Sequence, residues 1–171
     1  KSANVMIMGH MNGDIDSIGS SLGLYRFATT LNKEAYIVNN SRGLALESFI
    51  EALKNEGGYE GVIIDKNEAL AKITPDTLLI VTDTHKKSYV EVPELLEETE
   101  NIVVIDHHRK SADFIENAIL TFHEAYASSA AELVTEIIEY GTNDIELQQI
   151  EAESLYAGIM VDTKNFTRTT G

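Results

Sequence analysis

The chain of 171 residues carries 28 Asp and Glu against 13 Lys and Arg, a formal charge of −15, with 43% apolar residues and neither cysteine nor tryptophan. One domain of this length buries a sizeable core, which argues against disorder; no apolar run reaches the ~20 residues that cross a bilayer, and the N-terminus carries no signal-peptide pattern. The lack of cysteine excludes disulfides, thiolate metal sites and a cysteine nucleophile and suits a reducing compartment, while the lack of a dense basic stripe argues against binding long nucleic acid.

Apolar β-branched runs alternate with longer amphipathic stretches, the pattern of an α/β domain. Val5-Met6-Ile7-Met8 reads as a first strand ending at Gly9-His10, and after a loop of small and acidic residues Ser17 to Leu31 reads as a helix. Ala35 to Val38 is a second strand; Leu46 to Lys54 reads as a helix stopped by Asn55-Glu56-Gly57-Gly58, and Val62-Ile63-Ile64 as a third strand. Leu78 to Val81 and Ile102 to Ile105 read as buried strands, with a short helix opened by Pro93 and running through Leu96 between them. Ser129 and Glu132 form an expected capping box for a helix over Ala130 to Tyr140 with Gly141 as its stop, and a last helix runs from about Glu146 to Val161. Short strands separated by helices make a mainly parallel sheet flanked by helices the economical topology. We read one domain, cut from a longer protein, since the chain begins at Lys1 and ends at Thr169-Thr170-Gly171.

In an open parallel sheet, ligands bind outside the carboxyl ends of the strands. Three expected strands end there in metal-binding residue types: His10, Asp14 and Asp16 in GHMNGDID, Asp83 and His85 in VTDTH, and Asp106, His107 and His108 in VIDHH. Asp162 follows the apolar end of the last helix in GIMVDTKNF. Each Asp taken singly is equally well a helix cap or turn residue. Four acidic clusters on one edge are another matter, because crowded carboxylates repel unless cations neutralise them. Asp14 and Asp16, two positions apart on an extended loop, would each face one of two adjacent sites. Carboxylate and imidazole donors without thiolate favour Mn²⁺, Fe²⁺ or Co²⁺, and two such ions ~3.5–4 Å apart would clamp a phosphoryl group and activate water. His85 is expected to support the ligands rather than join them, and His123, distant in sequence from every cluster, to be structural.

These motifs resemble the DHH phosphoesterase superfamily. The form His-x-x-x-Asp-x-Asp matches His10, Asp14 and Asp16, and the later motifs match Asp83, Asp106-His107-His108 and Asp162, in order and across nearly the whole chain. Within the superfamily, GIMVDTKNF together with DTHK and DHHRK is similar to the catalytic domain of GdpP-type cyclic-di-AMP phosphodiesterases. The resemblance implies a hydrolase that linearises a cyclic dinucleotide to pApA with two Mn²⁺ ions and a hydroxide bridging them. It makes His10, Asp14 and Asp83 ligands of one ion and Asp16, Asp83, His107 and Asp162 ligands of the other, with Asp83 shared. It places His108 and Asp106 in catalysis, His108 at the substrate phosphate and Asp106 orienting the histidines, and it lets Arg109 add positive charge near the phosphate, with a solvated surface arginine an equal reading.

The chain departs from the family at Gly13, where proline is usual, and at Arg168, one position earlier than the family's arginine before Thr-Gly. No Gly-Gly-His motif occurs, so the second, substrate-binding domain is expected to be absent from this segment, as are the membrane helices of GdpP-type proteins. The segment is therefore expected to be cytoplasmic, without membrane contact of its own, from a parent anchored in the membrane, with a homodimer left open. Two alternatives stand beside the cyclic dinucleotide reading: a nano-RNase acting on short linear oligonucleotides, and a metal-binding but inactive regulatory or oligomerisation domain. A family II pyrophosphatase fits the surroundings of the last motif less well.

Overall fold

The computed structural model describes residues 2–40, 44–141 and 145–167. In chain order these form β1 (Val5–Met8), α1 (Ile15–Thr30), β2 (Ala35–Val38), α2 (Leu44–Glu56), β3 (Ile63–Ile64), α3 (Lys66–Lys72) and β4 (Leu78–Thr82). A 3-10 turn (Pro93–Glu97), β5 (Ile102–Asp106), β6 (Leu120–His123), α4 (Ala130–Gly141) and α5 (Gln149–Asp162) follow. The strands lie in the order β3-β2-β1-β4-β5-β6, and every neighbouring pair is parallel. The expected α/β architecture is the observed one.

Side chains alternate between the two faces of this sheet, as the period of two in a strand requires. Val5, Ile7, Ile80 and Ile105 pack beneath α1, α4 and α5 against Leu24, Ala28, Leu133, Val134 and Leu155. Met6, Met8, Leu79, Val81 and Val104 face the opposite way, onto Ala69 of α3 and the segment carrying Val90, Val92 and Leu95. A third cluster joins Ile18 and Leu22 of α1 to Ile37, Leu53, Tyr59 and Val62. All four β1 residues are buried, as expected for a central parallel strand covered on both sides.

The strand order positions the site. From β1 the sheet grows one way through β2 and β3 and the other way through β4, β5 and β6, so the crevice at the carboxyl ends of β1 and β4 is the topological switch point. Met8 pairs with Val81, Thr82 with Ile105 and Asp106 with His123, so the segments after β1, β4, β5 and β6 leave the sheet side by side.

Several local expectations change. α1 begins at Ile15 rather than Ser17, because Asp14 caps it by accepting the N–H groups of Asp16 and Ser17. α3 and β6 are additional elements, and the β5–β6 crossover over 107–119 contains no helix. The Ser129 hydroxyl accepts the Glu132 N–H at 3.0 Å as expected, but Glu132 reaches back to Ser128 instead of completing a box with Ser129. Gly141 is the last residue of α4 rather than its stop, and α5 begins at Gln149. Arg168 lies outside the described residues. Among the described residues, no helix is long and apolar enough to cross a membrane.

One polar group ties α5 into the core. The carboxylate of Glu151, fully buried, accepts from Arg26 Nε at 2.9 and 3.0 Å, from Arg26 Nη2 at 2.9 Å and from the Tyr59 hydroxyl at 2.8 Å. Burial and the adjacent Glu151 carboxylate push the Tyr59 phenol up to about 12. The unfolded value is about 10, so this contribution to stability is intact below pH 10 and is lost as the pH rises towards 12. Urea midpoints from pH 9 to 12 should fall more steeply for the native chain than for Tyr59→Phe.

Candidate metal centre

Gly9 lets β1 end against α1, since a Cβ there would stand 1.8 Å from the Ser17 hydroxyl. The next residue, His10, is held by the segment following β4: its ring stacks on Tyr89 at 5.1 Å, and the Met11 N–H and Tyr89 carbonyl bond at 2.9 Å. His10 Nδ1 donates to the Met11 carbonyl at 2.9 Å, which fixes the tautomer and turns Nε2 towards Asp83 Oδ2 at 3.3 Å and Asp14 Oδ1 at 3.9 Å. Asp14 is thus both a helix cap and a member of a cluster, and the two readings of this residue coexist.

Asp16 sits in the first turn of α1, fully buried, where its two oxygens accept the N–H groups of Ala130 and Ala131 at 2.8 Å each. These are two of the open donors at the start of α4, so a carboxylate of α1 caps another helix. The same Asp16 Oδ2 lies 3.7 Å from His107 Nε2. Helical geometry, not an extended loop, therefore separates Asp14 from Asp16.

Asp83 follows β4 with a left-handed backbone, φ 61°, while its N–H continues the ladder to the Ile105 carbonyl at 2.9 Å. A non-glycine residue held there costs about 1 kcal/mol and persists only where its surroundings fix it. The carboxylate lies between two imidazoles, Oδ2 towards His10 and Oδ1 towards His107 Nε2 at 3.4 Å. Asp162, the last residue of α5, brings Oδ2 to 3.3 Å from that same His107 nitrogen. His108, half exposed, bonds Asp106 Oδ1 through Nδ1 at 2.8 Å, and that nitrogen also lies 3.7 Å from Asp83 Oδ1.

The charges are far from independent. Burial works against a charged His10, but the hydrogen bond to Asp83, the Met11 carbonyl and the Asp83 and Asp14 charges outweigh it and raise its pKa to about 9. His107 rises to about 9 likewise, burial being outweighed by Asp83, Asp16 and Asp162. Burial, then the negative charge of Asp83, push Asp16 up to about 8 despite the two α4 N–H groups. Burial also leads in raising Asp162, with Asp83 and Asp14 adding to it. Asp83 moves the other way: burial favours its neutral form, but the His10 and His107 imidazoles facing its two oxygens hold it below the usual carboxylate range.

Among the described residues, two buried side-chain atoms lack any hydrogen-bond partner, Asp83 Oδ1 and His107 Nε2, and they face each other. Nitrogen and oxygen donors bound at ~2.1 Å to one cation stand ~3.0–3.4 Å apart, the spacing found here. Among the described residues, four groups bring three ligand atoms within 4.8 Å of one another: His10 with Asp14 and Asp83, Asp16 with His107 and Asp162, Asp83 with His107 and His108, and His85 with Asp106 and His123. Their donors are oxygen and nitrogen without sulfur, a set that fits Mn²⁺, Fe²⁺ or Co²⁺.

All six sequence-derived ligand candidates, His10, Asp14, Asp16, Asp83, His107 and Asp162, therefore come together at the switch point. Asp106 holds His108 and also bonds His85, but the structure gives it no bond to His107. Arg109 is exposed beside His108. His123, expected to be structural and distant in sequence from every cluster, lies against Asp106 and His85 because β6 places it opposite Asp106. Tyr89, which stacks on His10, was missed, as nothing in its own surroundings in the sequence marks it.

α5 lies so close to Asp16 that a Cβ on Gly158 would stand 2.9 Å from Asp16 Oδ1 and 3.0 Å from Asp16 Cα and the Ala131 methyl. Gly158→Ala should cost about 1–3 kcal/mol through overpacking and displace the Asp16 carboxylate. Urea unfolding should show the loss of stability, and manganese titration should show weakened binding at one site with the other retained.

Residues 4–159 match the model of the DHH family, N-terminal domain. Over its whole length the chain is 43% identical to the cyclic-di-AMP phosphodiesterase GdpP of Bacillus subtilis and 44% identical to the cyclic-di-AMP phosphodiesterase PdeA of Listeria monocytogenes, and it spans 26% of each of those proteins. A solved structure of an exopolyphosphatase-related protein from Bacteroides fragilis superposes with a TM-score of 0.78 at 23% identity, covering all of this chain and 49% of that one, and supports the fold alone. With the family model covering nearly every described element and the motif residues gathered at the switch point, the chain belongs to the DHH family.

Proposed function

We propose that this segment is the metal-binding half of a phosphodiesterase that hydrolyses cyclic-di-AMP to pApA, working with two divalent cations, Mn²⁺ foremost. The observation that carries the reading is the position of Asp83, whose two buried oxygens face the imidazoles of two separate ligand groups. The identity to two cyclic-di-AMP phosphodiesterases supports the choice of substrate. In this reading His10, Asp14 and Asp83 hold one ion and Asp16, Asp83, His107 and Asp162 the other. Bound there, the ions supply activated water and positive charge for the phosphoryl oxygens.

The remaining roles belong to side chains. His108 keeps Nδ1 on Asp106, so Nε2 is the nitrogen left to meet a phosphate oxygen. The hydrogen bond to Asp106 leads in raising the pKa of His108 despite its partial burial, which favours the protonated form that donates to an anion. Arg109, exposed on the next residue, adds positive charge at the rim. Asp14 and Asp16 are held by helix N-termini, which keeps two acidic groups in place without lysine or arginine. A cyclic dinucleotide signal is met in the cytoplasm, and this reading places the segment there.

Metal analysis and hydrolysis test the proposal together. About two Mn²⁺ per chain with conversion of cyclic-di-AMP to pApA is the expected result; cleavage of pApA alone would transfer the reading to short linear oligonucleotides, and no binding at saturating Mn²⁺ would overturn it. Asp83→Asn keeps a residue that tolerates the left-handed backbone and removes the charge, so it should weaken both sites and abolish turnover. His108→Ala should retain both ions and lose turnover by about 100-fold or more. Equal metal loss in the two variants would overturn these roles.

A further inference from the structure

Behind the candidate ligands runs a chain of hydrogen bonds that none of the metal assignments uses. The backbone N–H of Ser111 can only donate, and it does so to His85 Nε2 at 2.9 Å. That nitrogen is therefore the acceptor of the ring, and the proton is on Nδ1. His85 Nδ1 donates it in a hydrogen bond to Asp106 Oδ2. The other oxygen, Asp106 Oδ1, accepts from His108 Nδ1 at 2.8 Å and from the His108 N–H at 3.3 Å. From the neighbouring strand, His123 Nε2 donates to the His108 carbonyl at 2.5 Å, and its ring meets that of His85 edge-on at 5.3 Å.

His85, Asp106 and His123 are gathered as closely as a set of metal ligands. The imidazole nitrogens are nevertheless committed: His85 Nε2 accepts from the Ser111 amide, His85 Nδ1 donates to Asp106 and His123 Nε2 donates to the His108 carbonyl, whereas His107 Nε2 has no hydrogen-bond partner. The trio is a hydrogen-bonded support and not a third metal site. Its members differ in what they can move. Asp106 and His85 are buried, while the His108 side chain is half exposed and is fixed to the protein interior through Asp106, with His123 holding the His108 backbone carbonyl.

A carboxylate held through one oxygen can swing about its Cβ–Cγ bond, and one held through both cannot. We infer that His85 is a positioning residue that acts through Asp106: locked in one tautomer by the Ser111 amide, it fixes the plane of the Asp106 carboxylate, and this in turn fixes the tautomer and direction of His108. The value of that direction to the reaction rests on the function proposed above, but the tautomer does not. Loss of such a supporting partner typically costs about 10–100-fold in activity.

The test separates the two. In the metal-free chain, labelled with ¹⁵N-histidine and held at alkaline pH where the imidazoles are neutral, long-range ¹H–¹⁵N spectra read the tautomer of His108 directly. The native chain and His85→Asn, whose amide nitrogen replaces Nδ1 as a donor to Asp106, should show His108 with its proton on Nδ1. His85→Ala should show a mixture of tautomers. If that variant does not fold, His85→Gln replaces it, because the longer side chain sets its amide at the Nε2 position, away from Asp106.

With Mn²⁺ and cyclic-di-AMP, kcat of His85→Ala or His85→Gln should fall about 10–100-fold with KM and manganese stoichiometry unchanged, and His85→Asn should recover most of it. A single unaltered His108 tautomer in the Ala or Gln variant overturns the inference, as does a change in manganese stoichiometry. Failure of the native chain to bind Mn²⁺ overturns the proposed function instead and leaves the tautomer result standing.

Discussion

Mutual repulsion among carboxylates is the constraint around which this molecule is arranged. Asp14, Asp16, Asp83, Asp106 and Asp162 meet at one end of the sheet in a chain that already carries a charge of −15. Among the described residues, no lysine or arginine pairs with these carboxylates, and the compensation comes from other sources. Helix N-termini take up Asp14 and Asp16, imidazoles face Asp83 and Asp162, and Asp106 is held between two histidines. What these partners leave uncompensated is concentrated at Asp83 Oδ1 and His107 Nε2, the two buried side-chain atoms without hydrogen bonds among the described residues. A cation at that point would relieve repulsion and satisfy both atoms at once.

The fold makes this crowding possible. Parallel strands all end on the same side, so residues remote in sequence reach one crevice without long loops. β1 and β4 are neighbours although α1, β2, α2, β3 and α3 lie between them in the chain. The helices approach closely where side chains are absent: Gly158 of α5 rests on Asp16, and Gly9 leaves room for Ser17 at the start of α1. Packing and electrostatics are therefore one problem here, since the contacts that bury Asp16 also raise its affinity for a proton.

Much of this was legible in the residues and part of it was not. β1, β4 and β5 are continuous apolar runs because both faces of the sheet are covered, and the site candidates stand directly after them. β6 has no such pattern: Leu120 and Thr121 are exposed on an edge strand, so no alternation marks it. With β6 went the position of His123, which is set by strand pairing with Asp106 and not by distance along the chain. α3 spans seven residues, too short for a helical period to register, though Asp65 and Glu68 form a capping box that the sequence does display. The loop of GHMNGDID was legible as a ligand segment but not as a helix start, because the same Asp14 serves both purposes.

The double use of Asp16 joins the chemistry of the site to the mechanics of the domain. Its oxygens hold the first turn of α4 while facing His107. Any change in the charge on this carboxylate, by proton or by cation, alters its grip on the Ala130 and Ala131 amides at the same moment. The hydrogen exchange of those two amides is therefore a local gauge of occupancy at the crevice, read from a helix that contributes no ligand of its own.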